Sequence, residues 1–278
     1  MSEQRRRTAF LGGGKMAEAL INGLIRSGGR TPDEIMVTNR REERARELAG
    51  KYGVTATLDN AEAARWANVL VLMAKPQDTE VLLEQIRRHV DGEDLVISFA
   101  AGVRTSFAEK HLPDDVPVVR VMSNVPVMVD EAMSVVAAGR RATEAHLATT
   151  EELLGYVGKV LRLKETHMDA VTATSGSGPA YFFLLAEAMI EACILLGLSR
   201  DVATDLIIQT MLGSAKMLRD TGKHPVELRE MVTSPGGTTI AAIRHLEEAG
   251  VRAAFLNAID AAKRRGEELA QGGDEDDD

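Results

Sequence analysis

The stretch TAFLGGGKMAEALINGLIRSG, residues 8–28, decides the fold of the first half of this chain. A short apolar run leads into three glycines, and a helix-period pattern follows directly. This order fits G-x-G-x-x-A, with Gly12 for a tight turn, Gly14 for close approach of a pyrophosphate and Ala17 for packing of the helix on the strand. The pattern predicts a dinucleotide-binding βα turn, with a plain turn as the alternative.

Short apolar runs recur through the first half and alternate with helical patterns. They are TAFLG (8–12), EIMVT (34–38), NVLVLMA (68–74), DLVISFA (94–100) and VPVVRVM (116–122). Strands rich in Val, Ile and Leu that alternate with helices predict a parallel sheet covered on both faces. Two more strand-like runs, 132–138 and 159–164, flank one further helical segment.

The second half reads as helix only. Five segments carry apolar residues at helical spacing: 177–198, 199–220, 225–232, 237–250 and 251–270. We therefore predict an α/β Rossmann-like N-terminal domain (1–164), an all-α dimerisation domain (165–270) and an acidic disordered tail (271–278). The helices are too apolar to cover only a small core, which indicates a homodimer.

The end of the second predicted strand indicates which dinucleotide binds. NAD sites usually place an acidic residue there, whereas this chain has Thr38-Asn39-Arg40-Arg41. Arginine binds a 2′-phosphate through charge-assisted hydrogen bonds, so Asn39 and Arg40 predict NADPH, with NADH as the lesser alternative. The competing interpretation is an exposed helix with ordinary charge pairs, which suits the residues from Glu42 onward.

Other residues complete the predicted cofactor surface. The carboxyl ends of parallel strands bind ligands in open sheets, and the run at 68–74 ends there. Lys75 could alternatively be an ordinary solvated lysine. The small residues at 98–102 would leave room for a nicotinamide ring. The further predicted cofactor-binding residues are Lys15, Met16, Asn60, Ala74, Lys75, Pro76 and Ala101.

Composition excludes several classes of protein. The net charge is −9 without a basic stripe, and five acids lie in the final GGDEDDD, so nucleic acid is not an expected partner. The single cysteine, Cys193, permits neither an intrachain disulfide nor a Cys-rich metal site, and we predict no metal. The chain start lacks the apolar region of a signal peptide, and the longest clean apolar run is too short to span a bilayer. We expect a cytoplasmic protein that does not bind membranes.

Two motifs of the helical half are more specific than the glycine loop: SGSGPAY at 175–181 and TSPGGTT at 233–239. With FLGGGKMAEAL, LMAKPQ and VISFAAGV, they resemble the pyrroline-5-carboxylate reductase family over nearly the whole chain. The resemblance implies NAD(P)H-dependent reduction of 1-pyrroline-5-carboxylate to L-proline, with substrate at a dimer interface. It also implies that dimers can assemble further, as a pentamer of dimers.

The resemblance also implies roles for single residues. Ser234, Gly236, Gly237 and Thr238 would hold the substrate carboxylate, and Thr239 would meet the ring nitrogen as the catalytic residue. Glu165 matches a position near substrate, although it would otherwise be an ordinary helix-start acid. Ser177-Gly178-Pro179 also reads as a plain helix N-cap and first turn.

Two other functions stay open. A hydroxyacid dehydrogenase also joins a Rossmann domain to helices, but it needs a placed acid/base such as a lysine. A non-catalytic NADPH-binding assembly protein would use the helices for association alone, and it would have no use for the TSPGGTT motif.

Overall fold

A computed structural model describes residues 7–271, and the chain divides into two compact units. The first unit comprises Met1–Ser177 and Ala262–Asp278, and the second comprises Gly178–Ala261. Segment 165–177 belongs to the first unit, where Met168 and Val171 form a small core with the sheet. The predicted domain boundary at 164/165 stays a prediction. Of the predicted tail only Gln271 lies within the described residues, where it ends the last helix.

The first unit is built on one eight-stranded sheet in the order β3-β2-β1-β4-β5-β6-β7-β8. The strands β1 to β6 run parallel, β7 runs antiparallel to β6, and β8 runs parallel to β7. Their bounds are β1 Thr8–Leu11, β2 Ile35–Thr38, β3 Thr55–Thr57, β4 Val69–Leu72, β5 Leu95–Ser98, β6 Val118–Met122, β7 Ala132–Ala138 and β8 Gly158–Arg162.

Helices cover both faces of this sheet, as the continuous apolar strands predict. The helices of the first unit are α1 Lys15–Arg26, α2 Glu42–Tyr52, α3 Asn60–Trp66, α4 Pro76–Ile86, α5 Thr105–His111, α6 Glu144–Gly155 and α7 Met168–Val171. One core joins α1, α2 and α6 to Phe10, and the opposite core joins α3, α4 and α5 to Leu11. Successive side chains of β1 are therefore buried on opposite faces of the sheet.

The strand β3 is absent from the sequence prediction. Its three residues, TAT, are exposed or half-buried at the edge of the sheet, so they lack the apolar run that marks the other strands. The run at 68–74 is therefore the fourth strand in the chain and not the third. In the sheet it pairs with β1.

The five helices that the second half predicts are all present. They are α8 Gly178–Leu195, α9 Arg200–Thr221, α10 Pro225–Met231, α11 Thr238–Glu248 and α12 Val251–Gln271. The interpretation of Ser177 as a helix N-cap is wrong, because this residue has right-handed helical dihedrals. Its N–H donates to the Thr172 carbonyl, five residues back, at the end of a π-helical turn over Thr172–Gly176.

Apolar side chains of the second unit lie open in a single chain. On α8 alone, Phe182, Phe183 and Leu184 are each more than 60% exposed. By length and composition the helical stretch Glu165–Leu195 could cross a membrane, and few of its residues are buried. An apolar surface of this size is usually buried against another molecule, and the sequence predicts that a second subunit buries it.

Candidate active site

The carboxyl ends of the central strands gather the predicted cofactor residues at one edge of the sheet. Leu11 of β1 is in register with Thr38 of β2 and with Leu72 of β4, and Leu72 is in register with Ser98 of β5. Because these strands are parallel, the loops that follow them lie side by side. This edge is where open α/β sheets bind ligands.

The glycine loop between β1 and α1 has the conformation that its pattern predicts. Gly12 has φ +114°, and a Cβ there would come within 3.1 Å of the Met73 carbonyl oxygen. A Cβ on Gly14 would meet nothing within 4 Å, so this side of the loop is open. Ala17 is buried in the core between α1 and the sheet. The loop is therefore tight at Gly12 and accessible at Gly14.

The middle glycine is the anchor of the loop. Gly13 donates its N–H to the Thr38 carbonyl at 2.7 Å, and its own carbonyl accepts from Asn39 Nδ2 at 3.2 Å and from Arg44 Nε at 3.1 Å. The Gly12 N–H donates to Thr38 Oγ1. These bonds fix the loop and leave the first N–H groups of α1 without intrahelical partners. The sequence did not indicate that Gly13, Thr38 and Arg44 support the glycine loop. The pattern G-x-G-x-x-A allows any residue at its middle position, and Arg44 lies in a charge-rich helix.

Asn60 joins this network from the far side of β2. Its Oδ1 accepts from Thr38 Oγ1 at 2.6 Å, and its Nδ2 donates to Gln85 Oε1 at 2.7 Å. The side chain thus supports Thr38, which in turn supports the glycine loop. Direct contact of Asn60 with a cofactor stays a prediction.

A cluster around Glu18 locks α1 to α2. The carboxylate accepts from Arg44, Lys51 and Tyr52 at 2.5, 2.8 and 2.9 Å. Hydrogen bonds from Arg44 and Lys51 lower the pKa of Glu18 from 4.5 to about 2. Since Arg44 also holds Gly13, the cluster ties the helix packing to the shape of the loop.

The end of β2 has no acidic residue and two exposed arginines. The side chain of Arg40 is 84% exposed, and its two Nη atoms face the two carboxylate oxygens of Asp78 at 3.3 and 3.4 Å. Asp78 lies in the first turn of α4. The other predicted cofactor residues lie on the same edge, exposed or half-buried: Lys15, Met16, Ala74, Lys75, Pro76 and Ala101.

Glu165 contacts other residues of the first unit. Its carboxylate accepts from the backbone N–H and the hydroxyl of Thr105, both at 2.7 Å, and from Arg120 Nη1 at 3.2 Å. Arg120 lies on β6 and is nearly fully buried. The acid therefore caps α5 and neutralises a buried cation, two roles that the sequence did not indicate. Its predicted contact with substrate stays a prediction.

The TSPGGTT segment comprises the loop between α10 and α11 and the first two residues of α11, in the second unit. Gly236 has φ +68°, and Gly237 is the N-cap of α11 without a side chain that could bind the helix N–H groups. The Gly237 N–H donates to the Ser234 carbonyl at 3.1 Å. The first N–H groups of α11 are thus free for an anion, and its first turn contains no acid.

Thr239 is the second residue of α11 and is half-buried, whereas Ser234 and Thr238 are exposed. Across residues 7–271, no group of three or more His, Cys, Asp or Glu side chains could hold a metal ion. Residues 233–239 carry only Thr and Ser as polar side chains, so polar chemistry in this segment comes from hydroxyl groups and backbone N–H groups.

Two family models match the chain. Residues 165–269 match the pyrroline-5-carboxylate reductase dimerisation family, and residues 7–102 match a family described as NADP oxidoreductase, coenzyme F420-dependent. One match falls in the predicted α/β half and the other in the predicted helical half. They do not test the exact boundary between the two predicted domains.

Whole-chain relatives agree with the family models. Pyrroline-5-carboxylate reductase of Corynebacterium melassecola is 45% identical over 95% of this chain and 98% of its own. The structure of a pyrroline-5-carboxylate reductase from Coxiella burnetii is 38% identical, with a TM-score of 0.89 over 95% of this chain and 98% of the other. That of Plasmodium falciparum pyrroline carboxylate reductase with NADP bound is 25% identical, with a TM-score of 0.87 over 97% and 100%. This chain therefore belongs to the pyrroline-5-carboxylate reductase family.

Proposed function

We propose that this chain reduces 1-pyrroline-5-carboxylate to L-proline with NADPH, and that the TSPGGTT loop holds the substrate. The family assignment supports the reaction. The observation that carries the assignment of the loop is the N-terminus of α11, which has free N–H groups, a glycine at the N-cap and no acid in its first turn. The substrate is a small anion, and such a helix end attracts a carboxylate through both hydrogen bonds and its dipole.

The carboxyl edge of the sheet fits NADPH. The open side of Gly14 leaves room for a pyrophosphate beside the N-terminus of α1, and Arg40 offers an exposed guanidinium where an acid would favour NADH. When bound, NADPH supplies the hydride that the imine carbon accepts. The small residues around Ala101 would admit the nicotinamide ring. The NADP bound to the Plasmodium relative supports this assignment.

In the loop, Ser234, Gly236, Gly237 and Thr238 would hold the substrate carboxylate. Left-handed backbone at Gly236 and the absent side chain at Gly237 let a ligand approach the main chain closely. A Cβ on Gly237 would lie 2.4 Å from Ser234 Oγ, so the two residues are already in contact. The loop can therefore bind an oxyanion without a charged side chain.

Thr239 would orient the ring nitrogen and assist its protonation. A protonated imine accepts hydride more readily, so a hydroxyl at the nitrogen accelerates the reaction. Because Gly237 is the N-cap, Thr239 does not stand at the capping position of α11. This placement favours a role toward substrate over a purely structural one. A threonine hydroxyl is a weak acid, so we assign the proton itself to a water that Thr239 positions.

The two rival functions have less support. A hydroxyacid dehydrogenase would need a placed lysine, yet Lys263 pairs with Glu267 and Lys216 is exposed on α9. An assembly protein without activity would not need an anion-binding loop. We propose a cytoplasmic enzyme that forms homodimers through its dimerisation region, and we extend this to a pentamer of dimers by family analogy alone.

One assay separates these functions. Purified full-length protein is mixed with 1-pyrroline-5-carboxylate and NADPH, and both NADPH oxidation and proline formation are measured. We expect the two rates to agree. No turnover here, but reduction of NADP+ when a hydroxyacid replaces these substrates, would support the dehydrogenase. NADPH binding without turnover in either mixture would support the assembly protein.

A further inference from the structure

The ion pair between Arg40 and Asp78 crosses the edge of the sheet at the proposed cofactor site. Arg40 follows β2 and precedes α2 on one face, whereas Asp78 lies on α4, which packs on the opposite face. The strand order puts β1 between β2 and β4. The pair therefore spans the edge on which the glycine loop after β1 lies.

Arg40 differs from three cations that lie within α2. Arg44 is held by Glu18 and Glu47, Arg46 by Glu42, and Lys51 by Glu18. These cations are neutralised by acids on α1 or α2. The partner of Arg40 instead lies across the edge of the sheet, at 3.3 Å, and the Arg40 side chain is 84% exposed. An exposed pair of this length is weak and easily exchanged for a better anion.

We infer that Asp78 is a counter-ion for Arg40 that a 2′-phosphate must displace, so that Asp78 helps to set the preference between NADPH and NADH. The inference rests on the proposed function, because it takes the edge as the cofactor site. Both Nη atoms of Arg40 face the Asp78 carboxylate, in the same two-pronged geometry that a phosphate would use. A phosphate carries more charge than a carboxylate, and NADH has none at this position.

The two cofactors should therefore respond differently to the loss of Asp78. With NADPH, the phosphate takes Arg40 from Asp78 and also meets the repulsion of the nearby carboxylate. With NADH, Arg40 and Asp78 can stay paired. Asp78→Asn keeps the size of the side chain and removes only its charge, so it should release Arg40 for the phosphate.

The experiment measures the dissociation constants of NADPH and NADH by fluorescence titration of the full-length protein. The variants are Asp78→Asn, Arg40→Ala and the double variant, with Glu80→Gln as the matched control. Glu80 lies on the same helix but pairs with His111. Melting temperatures of all variants confirm that each one is folded.

We expect Asp78→Asn to bind NADPH about twofold to fivefold more tightly, the range that loss of an exposed pair allows, with NADH affinity unchanged. Arg40→Ala should weaken NADPH binding by about tenfold to a hundredfold, and adding Asp78→Asn to it should bring a smaller gain than Asp78→Asn alone, because only the repulsion between carboxylate and phosphate is then relieved. Glu80→Gln should leave both constants unchanged.

Four results would overturn the inference. Weaker NADPH binding by Asp78→Asn would mean that Asp78 positions Arg40 for the cofactor. Equal shifts for both cofactors, or an undiminished gain without Arg40, would mean a general charge effect. The proposed function fails separately, through an absence of proline formation by the unaltered protein. Proline formation with unchanged binding by Asp78→Asn would refute the inference alone.

Discussion

Gly12 and Gly14 stand two residues apart but serve different purposes, and this difference can be tested. Gly12→Ala should lower stability, by about 1 kcal/mol or more, because φ +114° and the Met73 carbonyl both oppose a Cβ. Gly14→Ala should leave the melting temperature unchanged, since its Cβ meets open space. It should nevertheless weaken NADPH binding, because that space is the proposed phosphate site. Thermal melts and NADPH titrations of both variants check this, and a destabilised Gly14→Ala would contradict it.

Thr239 offers the sharpest test of the proposed chemistry. Thr239→Ala should lower kcat by roughly 10²-fold or somewhat less, within the range for a group that assists proton transfer. Thr239→Ser should recover much of the rate, because it restores the hydroxyl. NADPH affinity should change little in either variant. The measurement is kcat beside the melting temperature, and a near-normal kcat with a lowered melting temperature would leave only a structural role.

Single residues were predictable where a motif constrains them. Gly12 and Ala17 behave as the glycine pattern predicts, because one needs left-handed backbone and the other needs close packing. Gly13, Arg44 and Asp78 were not predictable, since their roles depend on partners far away in the chain. Nothing near Asp78 in the sequence indicates that it meets Arg40, 38 residues earlier.

The joint between α1 and α2 should make stability depend on pH through Glu18. Its pKa is lowered in the folded chain to about 2, so its contribution is present above the ordinary value near 4.5 and is lost as pH falls toward 2. Glu18→Gln should therefore lower the free energy of unfolding by about 2–3 kcal/mol at pH 7 and by much less near pH 2. Denaturant unfolding at several pH values measures this. Glu43→Gln, on the exposed face of α2, is the control, and a pH-independent loss in Glu18→Gln would contradict the prediction.

Glu165, which caps α5, should contribute more to the free energy of unfolding than an acid in a surface ion pair. Glu165→Ala leaves the nearly buried Arg120 without its carboxylate and removes two bonds to Thr105, so we expect a loss of roughly 3 kcal/mol. Glu42→Ala, which breaks an exposed pair with Arg46, should cost about 0.5 kcal/mol or less. Equal losses in the two variants would show that burial of Arg120 is unimportant.

Elements were predictable where burial leaves a periodic pattern. The apolar runs indicated seven of the eight strands, and the helical spacing indicated all five helices of the second half of the chain. The strand β3 escaped because an edge strand of three half-exposed residues has no such pattern. Ser177 misled because a serine before Gly-Pro is typical of a helix start, whereas here a π-helical turn carries the helical backbone through this residue.

The dimerisation region of this family accounts for the exposed apolar side chains of the second unit. Phe183→Asp on α8 should give a monomer and abolish most activity, because a buried charge at a subunit interface is strongly unfavourable. Val81→Asp, at an equally exposed apolar position on α4, should leave the assembly unchanged. Light scattering measures both. An active monomer of the unaltered chain would contradict the family assignment of this region.

The exposed apolar side chains of α8 should make the melting temperature depend on protein concentration. If a second copy covers them, association and folding of the helical region form one equilibrium, and mass action governs it. Diluting the sample should then lower the melting temperature of the helical region while the sheet-based unit, whose core is complete within one chain, melts at a constant temperature. The resistance of this protein to heat is thus set partly by how many copies share the same volume.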